Sequence, residues 1–374
     1  MAKQLTLPRL LVEGADSGAN LVYGSGFHPV DPVVFLDEST RRTLVVPMLE
    51  YRRAREEANN AEVFLPEDLG IPKKKMRSLS AWALYLLRRR GVRRVRVGGF
   101  FPAGIARDLE RAGVRVLIEP ASLYPERAIK TNAEIAAITK SQQAAVAGMR
   151  AAHRVLKEAE IGRGGWLRWQ GRTLTSERLR DVIDGALLQH GCIARDTIVA
   201  GDAQAADPHE RGHGPLRAGT SIVLDIFPRH KRTGYWGDIT RTFCKGPPSP
   251  ALARMYRTVL TAHRQALAMI RPGLPGNRVH EAVSDFFVKE GYPTVVQDGV
   301  VRGFFHGTGH GVGLDIHEAP SISRAETQLL AGHVVTVEPG LYDPDIGGVR
   351  IEDTVVIEKR GARILASFPN LFRV

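Results

Sequence analysis

Five side chains in the C-terminal half carry most of the chemistry this sequence offers: Asp225, Asp238, His310, Glu338 and Glu352. Each sits in a β-branched or glycine-rich run, as in Ser221-Ile-Val-Leu-Asp225, Gly237-Asp238-Ile-Thr240, His306-Gly-Thr-Gly-His310-Gly-Val-Gly, Thr336-Val-Glu338-Pro-Gly and Val349-Arg350-Ile-Glu352-Asp353. Such runs belong to strands and tight turns rather than to a helix face. Four carboxylates converging in a core are prohibitively costly to keep ionised without cations between them. Two divalent ions would neutralise the set, and oxygen-dominated donors with one imidazole suit Mn, Co or Fe(II) better than a closed structural Zn.

A dinuclear centre lowers the pKa of a shared water toward about 7 and polarises a carbonyl, which makes it a hydrolytic device. The remaining polar residues then have natural places. His209 and His317 are suited to donate to a tetrahedral oxyanion or to the leaving group. Arg350, two residues before Glu352, shares its strand face and would orient a carboxylate ligand. His306, four residues before His310, would line the pocket.

The elements that must position these groups form a repeat. The capping-box pattern Thr131-Asn-Ala-Glu134 predicts the start of a long helix, and a second helix follows from Thr175 to Gly191. Strands are expected at 197–200 and 221–227, with a hairpin-like insertion at 228–235 before Asp238. After Ser249-Pro250 the pattern recurs as a long helix stopped by Pro272-Gly273, a shorter helix to Lys289, and strands. The copies align on Leu216-Arg-Ala-Gly219 and Leu329-Leu-Ala-Gly332, with Asp225 and Glu338 each six residues beyond the glycine, since 225−219 = 338−332 = 6. Two copies of one α/β unit would place an inward acid from each about a pseudo-twofold axis.

Upstream, residues 1–124 alternate strand-like runs (31–36, 43–46, 92–97, 114–118) with helical ones (78–90, 103–112), a pattern of a small α/β domain. A linker at 120–127 leads to a second domain over 125–374. The 374 residues are 43% hydrophobic and 25% charged, an ordinary globular composition. Net charge is +12. The densest basic stretch, Lys73 to Arg96, reads as the solvated side of a helix whose buried residues are Trp82, Leu84, Leu86 and Leu87. No nucleic-acid or membrane partner is expected. Cys192 and Cys244 lack metal-type spacing and are expected as free thiols, and neither a signal peptide nor a membrane span is read, which points to the cytoplasm.

The ligand set and its motifs resemble the pita-bread metallopeptidases, the family of Xaa-Pro aminopeptidases, Xaa-Pro dipeptidases (prolidases), methionine aminopeptidases and the metal-free creatinases. The resemblance covers nearly the whole chain. It implies a creatinase-like α/β domain over 1–124 and an α+β pita-bread catalytic domain over 125–374, with the pseudo-twofold repeat inside it. It also implies that Asp225, Asp238, His310, Glu338 and Glu352 hold two divalent ions, Asp238 and Glu352 bridging them, with Mn favoured and Co, Zn or Fe as alternatives. Glu338 is implied to shuttle the proton of the attacking water. His209, His306, His317 and Arg350 fall at accessory positions of the proline-specific branch: His209, His317 and Arg350 as catalytic, and His306, His209 and His317 as substrate-binding. The implied reaction is hydrolysis of the Xaa-Pro bond by a hydroxide shared between the ions, as a dipeptidase, with an Xaa-Pro aminopeptidase acting on longer peptides as the alternative. A homodimer is implied. A non-catalytic binding protein on the same scaffold is the reading from another class, and the complete ligand set argues against it. The sequence departs from the pattern in four places. Ile-Phe-Pro follows Asp225, the segment from there to Asp238 is longer than usual, Arg195 replaces a tyrosine, and an Arg-bearing insertion between His317 and Glu338 is absent, which leaves Arg324, Arg195 or Arg41 and Arg42 to hold a substrate carboxylate.

Overall fold

The computed structural model describes residues 7–14, 18–59, 61–120 and 122–374. Residues 1–6, where no signal peptide is expected, and Ala121 of the expected linker lie outside the described residues. The chain divides into two compact units, Met1–Arg127 and Ala128–Val374.

The first unit is a six-stranded mixed sheet in the order Ala61–Phe64, Arg42–Val45, Val33–Asp37, Arg9–Glu13, Arg94–Gly98, Arg115–Glu119. The helices expected at 78–90 and 103–112 are present as Leu79–Arg89 and Ala103–Arg111. Ser78 caps the former by accepting from the Ala81 N–H, and Trp82, Leu86 and Leu87 are buried while Lys73–Lys75 are exposed. Leu84, expected inside, is only half-buried. The elements Arg9–Glu13, Ala19–Ser25, Met48–Glu57 and Ala61–Phe64 escaped the sequence patterns. The helix Met48–Glu57 buries only Glu50 and Ala54, so it has no apolar stripe to read. The strand Arg9–Glu13 has just three buried residues between half-buried charged ends.

The second unit repeats one plan. Its first half runs helix Asn132–Glu158, helix Ser176–Gln189, then an antiparallel sheet in which Ile222–Ile226 lies between Ile198–Gly201 and Ile239–Phe243. Its second half runs helix Pro250–Met269, helix Gly276–Lys289, then a sheet in which Val334–Val337 lies between Gly309–Gly311 and Asp353–Glu358. Each half packs its own helices on its own strands, giving two apolar clusters, one around Met149, Ile183 and Leu224 and one around Met255, Val283 and Val335. The capping box closes as expected, the Thr131 N–H donating to Glu134 and the Glu134 N–H to Thr131, a motif worth about 1 kcal/mol. Ser249 caps the later long helix. The Ala-Gly landmarks also correspond in conformation: Gly219 and Gly332 have φ of +79° and +92°, a left-handed turn that glycine makes without a Cβ penalty. Each turn delivers the chain into a strand with an acid at its far end, Asp225 as the penultimate residue of Ile222–Ile226 and Glu338 just after Val334–Val337.

Candidate metal centre

The strand ends position the acids in pairs. Asp238 immediately precedes Ile239–Phe243, and Glu352 immediately precedes Asp353–Glu358, the equivalent strand of the other half. Successive strand residues face opposite ways, so Thr240 and Thr354 return to the side of Asp238 and Glu352. Both are used there: the Thr240 hydroxyl donates to Glu352 Oε2 at 2.7 Å, and the Thr354 hydroxyl to the Asp238 carbonyl at 2.8 Å. His310 lies on Gly309–Gly311, where a register shift between His310 and Gly311 breaks the ladder. Such a bulge re-aims a side chain. The Thr336 hydroxyl accepts from the His310 N–H at 3.0 Å and donates to Glu338 Oε1 at 3.3 Å, tying these two candidates together. A Cβ on Gly309 would collide with the Thr336 backbone, which accounts for a glycine before His310.

Every site side chain selected from the sequence lines one cavity of ≈620 Å³: Asp225, Asp238, His310, Glu338, Glu352, His209, His306, His317 and Arg350. Donor atoms of Asp238, His310 and Glu352 lie within 4.8 Å of one another. His310 Nε2 is 3.6 Å from Asp238 Oδ2 and 3.4 Å from Glu338 Oε1. Its Nδ1 is 3.2 Å from the Gly311 carbonyl, and a proton donated there leaves the Nε2 lone pair facing the acids. Asp225 is held differently, its Oδ2 accepting from Arg350 Nη2 at 2.7 Å.

Burial first, and then mutual repulsion, pushes the Asp238 and Glu352 carboxyls well above the ordinary range. Glu338 is pushed up to about 7 by burial, against the lowering effect of Arg350. His310 is lowered by burial, which favours the neutral ring that a metal requires. Buried Oδ1 atoms of Asp225 and Asp238 have no hydrogen-bond partner among the described residues. Clustered acids with orphaned oxygens beside a neutral imidazole fit a pair of divalent cations.

Four residues that sequence reading passed over complete the arrangement. Tyr342 accepts from Arg350 Nη1 at 2.9 Å and reaches His306 Nε2 at 2.8 Å, while His306 Nδ1 contacts the Gly307 carbonyl at 2.7 Å. Its place four residues after Glu338 was the available signal. Gln142, buried on the first long helix, accepts from the Asp238 N–H at 2.6 Å and donates to the Asp238 carbonyl at 2.7 Å. Thr240 and Thr336 are the other two. His317 packs edge-on to His310 with ring centroids 4.2 Å apart, and is lowered by burial and by His310. His209 is exposed on the cavity rim, its backbone N–H donating to Asp207 Oδ1 at 3.1 Å. Arg195 is not among the cavity-lining residues, and Arg41 of the first unit pairs with Glu62.

Residues 136–359 match the model of metallopeptidase family M24. The chain is 29% identical over 352 residues to an Xaa-Pro dipeptidase of Pyrococcus horikoshii, an alignment covering 92% of this chain and 90% of the relative. Among solved structures, the prolidase of Pyrococcus furiosus matches with a TM-score of 0.78 at 26% identity, over 97% of this chain and 96% of the other. An X-Pro aminopeptidase of Thermotoga maritima shares the fold, with a TM-score of 0.81 at 24% identity over 98% of this chain and 97% of the other. With the pita-bread architecture, the acid–histidine cluster and the family match in agreement, this chain is an enzyme and belongs to metallopeptidase family M24.

Proposed function

We propose that this metallopeptidase hydrolyses the Xaa-Pro bond, acting as an Xaa-Pro dipeptidase with two divalent ions, Mn favoured, held by Asp225, Asp238, His310, Glu338 and Glu352. The observation that carries the proposal is the convergence of these five side chains with Arg350 and three histidines on one cavity. When bound, the ions would supply a water ionised near neutral pH and polarise the scissile carbonyl.

The chain's own residues divide the remaining work. Arg350 holds Asp225 and Tyr342 in register, a fork that lysine could not reproduce. Glu338, whose Oε1 lies 3.4 Å from His310 Nε2 on the cavity wall, is assigned to pass the proton of the attacking water to the leaving nitrogen. That nitrogen is a tertiary amide in an Xaa-Pro bond and cannot depart without gaining a proton. His209 and His317 are assigned as donors to the developing oxyanion or the leaving group. His306, held down to about 3 by burial and by Arg350, lines the pocket as a neutral ring.

A second cavity of ≈640 Å³, sharing His306, Gly307 and Phe305 with the first, offers room beyond the proline and favours the alternative of an Xaa-Pro aminopeptidase, while Arg324 on its wall is placed to hold a dipeptide's carboxylate. Ala-Pro and a longer Ala-Pro-led peptide, given to metal-stripped and Mn- or Zn-reconstituted enzyme, separate the two. Metal-dependent release of proline from Ala-Pro is expected, and turnover of only the longer peptide would overturn the dipeptidase reading. The enzyme is further assigned to the cytoplasm as a homodimer. Its buried free cysteines and the lack, among the described residues, of a helix long and apolar enough to cross a membrane support the first assignment. Light scattering on the purified chain tests the second.

A further inference from the structure

Behind the metal centre lies a buried charge that the proposed chemistry does not use. Arg241 sits between Thr240 and Thr242 on Ile239–Phe243, and strand alternation turns it away from the cavity that Asp238 and Thr240 face. It is 1% exposed. A guanidinium in that position is tolerable only if its N–H groups are satisfied and its charge is matched. Nε donates to the Phe368 carbonyl at 3.0 Å, and Nη2 donates to the same carbonyl at 2.6 Å and to Asp353 Oδ1 at 2.7 Å. Nη1 donates to the Thr240 carbonyl at 2.8 Å and to the Glu352 carbonyl at 2.5 Å.

One side chain therefore grips the backbone of Glu352, the side chain of the next residue and the strand that follows Asp238. The Glu352 N–H is fixed as well, donating to the Thr240 carbonyl at 3.0 Å. Asp353 is backed by His263 of the helix Pro250–Met269, with Nε2 3.4 Å from Oδ2. The carbonyl that completes the grip comes from Phe368, in the C-terminal segment. That segment is docked by the Cys244 N–H on the Phe372 carbonyl at 2.7 Å and by Phe372 stacked on Tyr256 at 4.1 Å.

We propose that Arg241 is a positioning residue for the metal pair, setting the spacing of Asp238 and Glu352 from behind by joining their two strands to Asp353 and to the C-terminal segment. This rests on the reading that Asp238 and Glu352 hold the ions, and it adds that their affinity depends on a guanidinium that touches neither metal nor substrate. Groups that orient ligands from outside typically contribute about 10–100-fold in metal affinity.

The test uses the full-length, metal-stripped chain titrated with Mn²⁺ alone by calorimetry, together with visible absorption after loading with Co²⁺. Arg241→Met should weaken Mn²⁺ binding by about tenfold or more and alter the Co²⁺ spectrum. Arg241→Lys, which keeps the charge but not the fork, should fall between Arg241→Met and wild type. Asp353→Asn removes the charge partner and should shift affinity in the same direction; with Arg241→Lys it carries the test if Arg241→Met does not fold. Leu187→Ala, in the apolar cluster of the first half, calibrates lost stability alone and should lower Tm with affinity and spectrum unchanged. Wild-type affinity and spectrum in the Arg241 variants, or losses no larger than in a Leu187→Ala protein of equal Tm, would overturn the proposal. A wild-type chain that binds no Mn²⁺ would instead remove the metal reading beneath it, and this proposal with it.

Discussion

On the rear side of the strands Ile239–Phe243 and Asp353–Glu358, Arg241 and Asp353 form a closed pair at 2.7 Å whose remaining N–H groups end on backbone carbonyls. On the front side, Asp225, Asp238, Glu338 and Glu352 share one guanidinium, Arg350, which pairs directly with Asp225 alone. The rear matches one guanidinium to one carboxylate within the chain, and burial still raises the Asp353 carboxyl. The front leaves carboxylates lifted above their ordinary range and oxygens without partners. The difference teaches where outside cations are required: the fold supplies counter-charge wherever stability alone is at stake and withholds it where ions are to bind.

Breaking the front should do the most harm to activity and the least to folding. Asp238→Ala would remove one of the proposed metal ligands, and a loss of several kcal/mol of transition-state stabilisation is on the order of a thousandfold in kcat/KM. Its metal-free Tm should hold or rise, because a repelling buried carboxylate is gone; unchanged activity would abolish the contrast between the two sides. Arg350→Met frees Asp225 and Tyr342 together and should cost about a hundredfold in kcat/KM, with weaker Mn²⁺ retention in equilibrium dialysis. Tyr342→Phe removes one hydroxyl between Arg350 and His306, worth about 1 kcal/mol or severalfold in rate. Steady-state kinetics on Ala-Pro should show that modest loss without loss of bound metal.

The smallest expected effect sharpens the comparison through pH. Glu338 in the folded, metal-free chain keeps its proton to about pH 7, whereas its ordinary value is 4.5. Between those values the folded state binds more protons than the unfolded one, so stability falls as pH rises. Metal-free protein should therefore lose a few degrees of Tm across that window relative to Mn²⁺-loaded protein. A parallel response in the two forms would mean that the front carboxylates are not the source.

The front was largely legible in the sequence because a metal centre demands particular residue types beside particular turns. Asp225 and Glu338 could be paired from the Ala-Gly spacing together with the shared order of elements, and Gly219 and Gly332 adopt the same left-handed turn. The rear and the flanks were not legible. Arg241 looks like any strand arginine until Phe368, distant in sequence, is brought beside it, and Gln142 looks like a helix-surface residue until Asp238 docks on it. These partners are set by tertiary packing, which leaves no local pattern. The first unit shows the same limit, since Met48–Glu57 forms a helix with almost no apolar face to announce it.

Anomalous diffraction from crystals of Mn²⁺-loaded enzyme is the most direct measurement. Two peaks are expected in the cavity, within coordination distance of the set Asp225, Asp238, His310, Glu338 and Glu352. An empty cavity under saturating Mn²⁺, or peaks that none of these carboxylates approaches, would contradict the dinuclear centre.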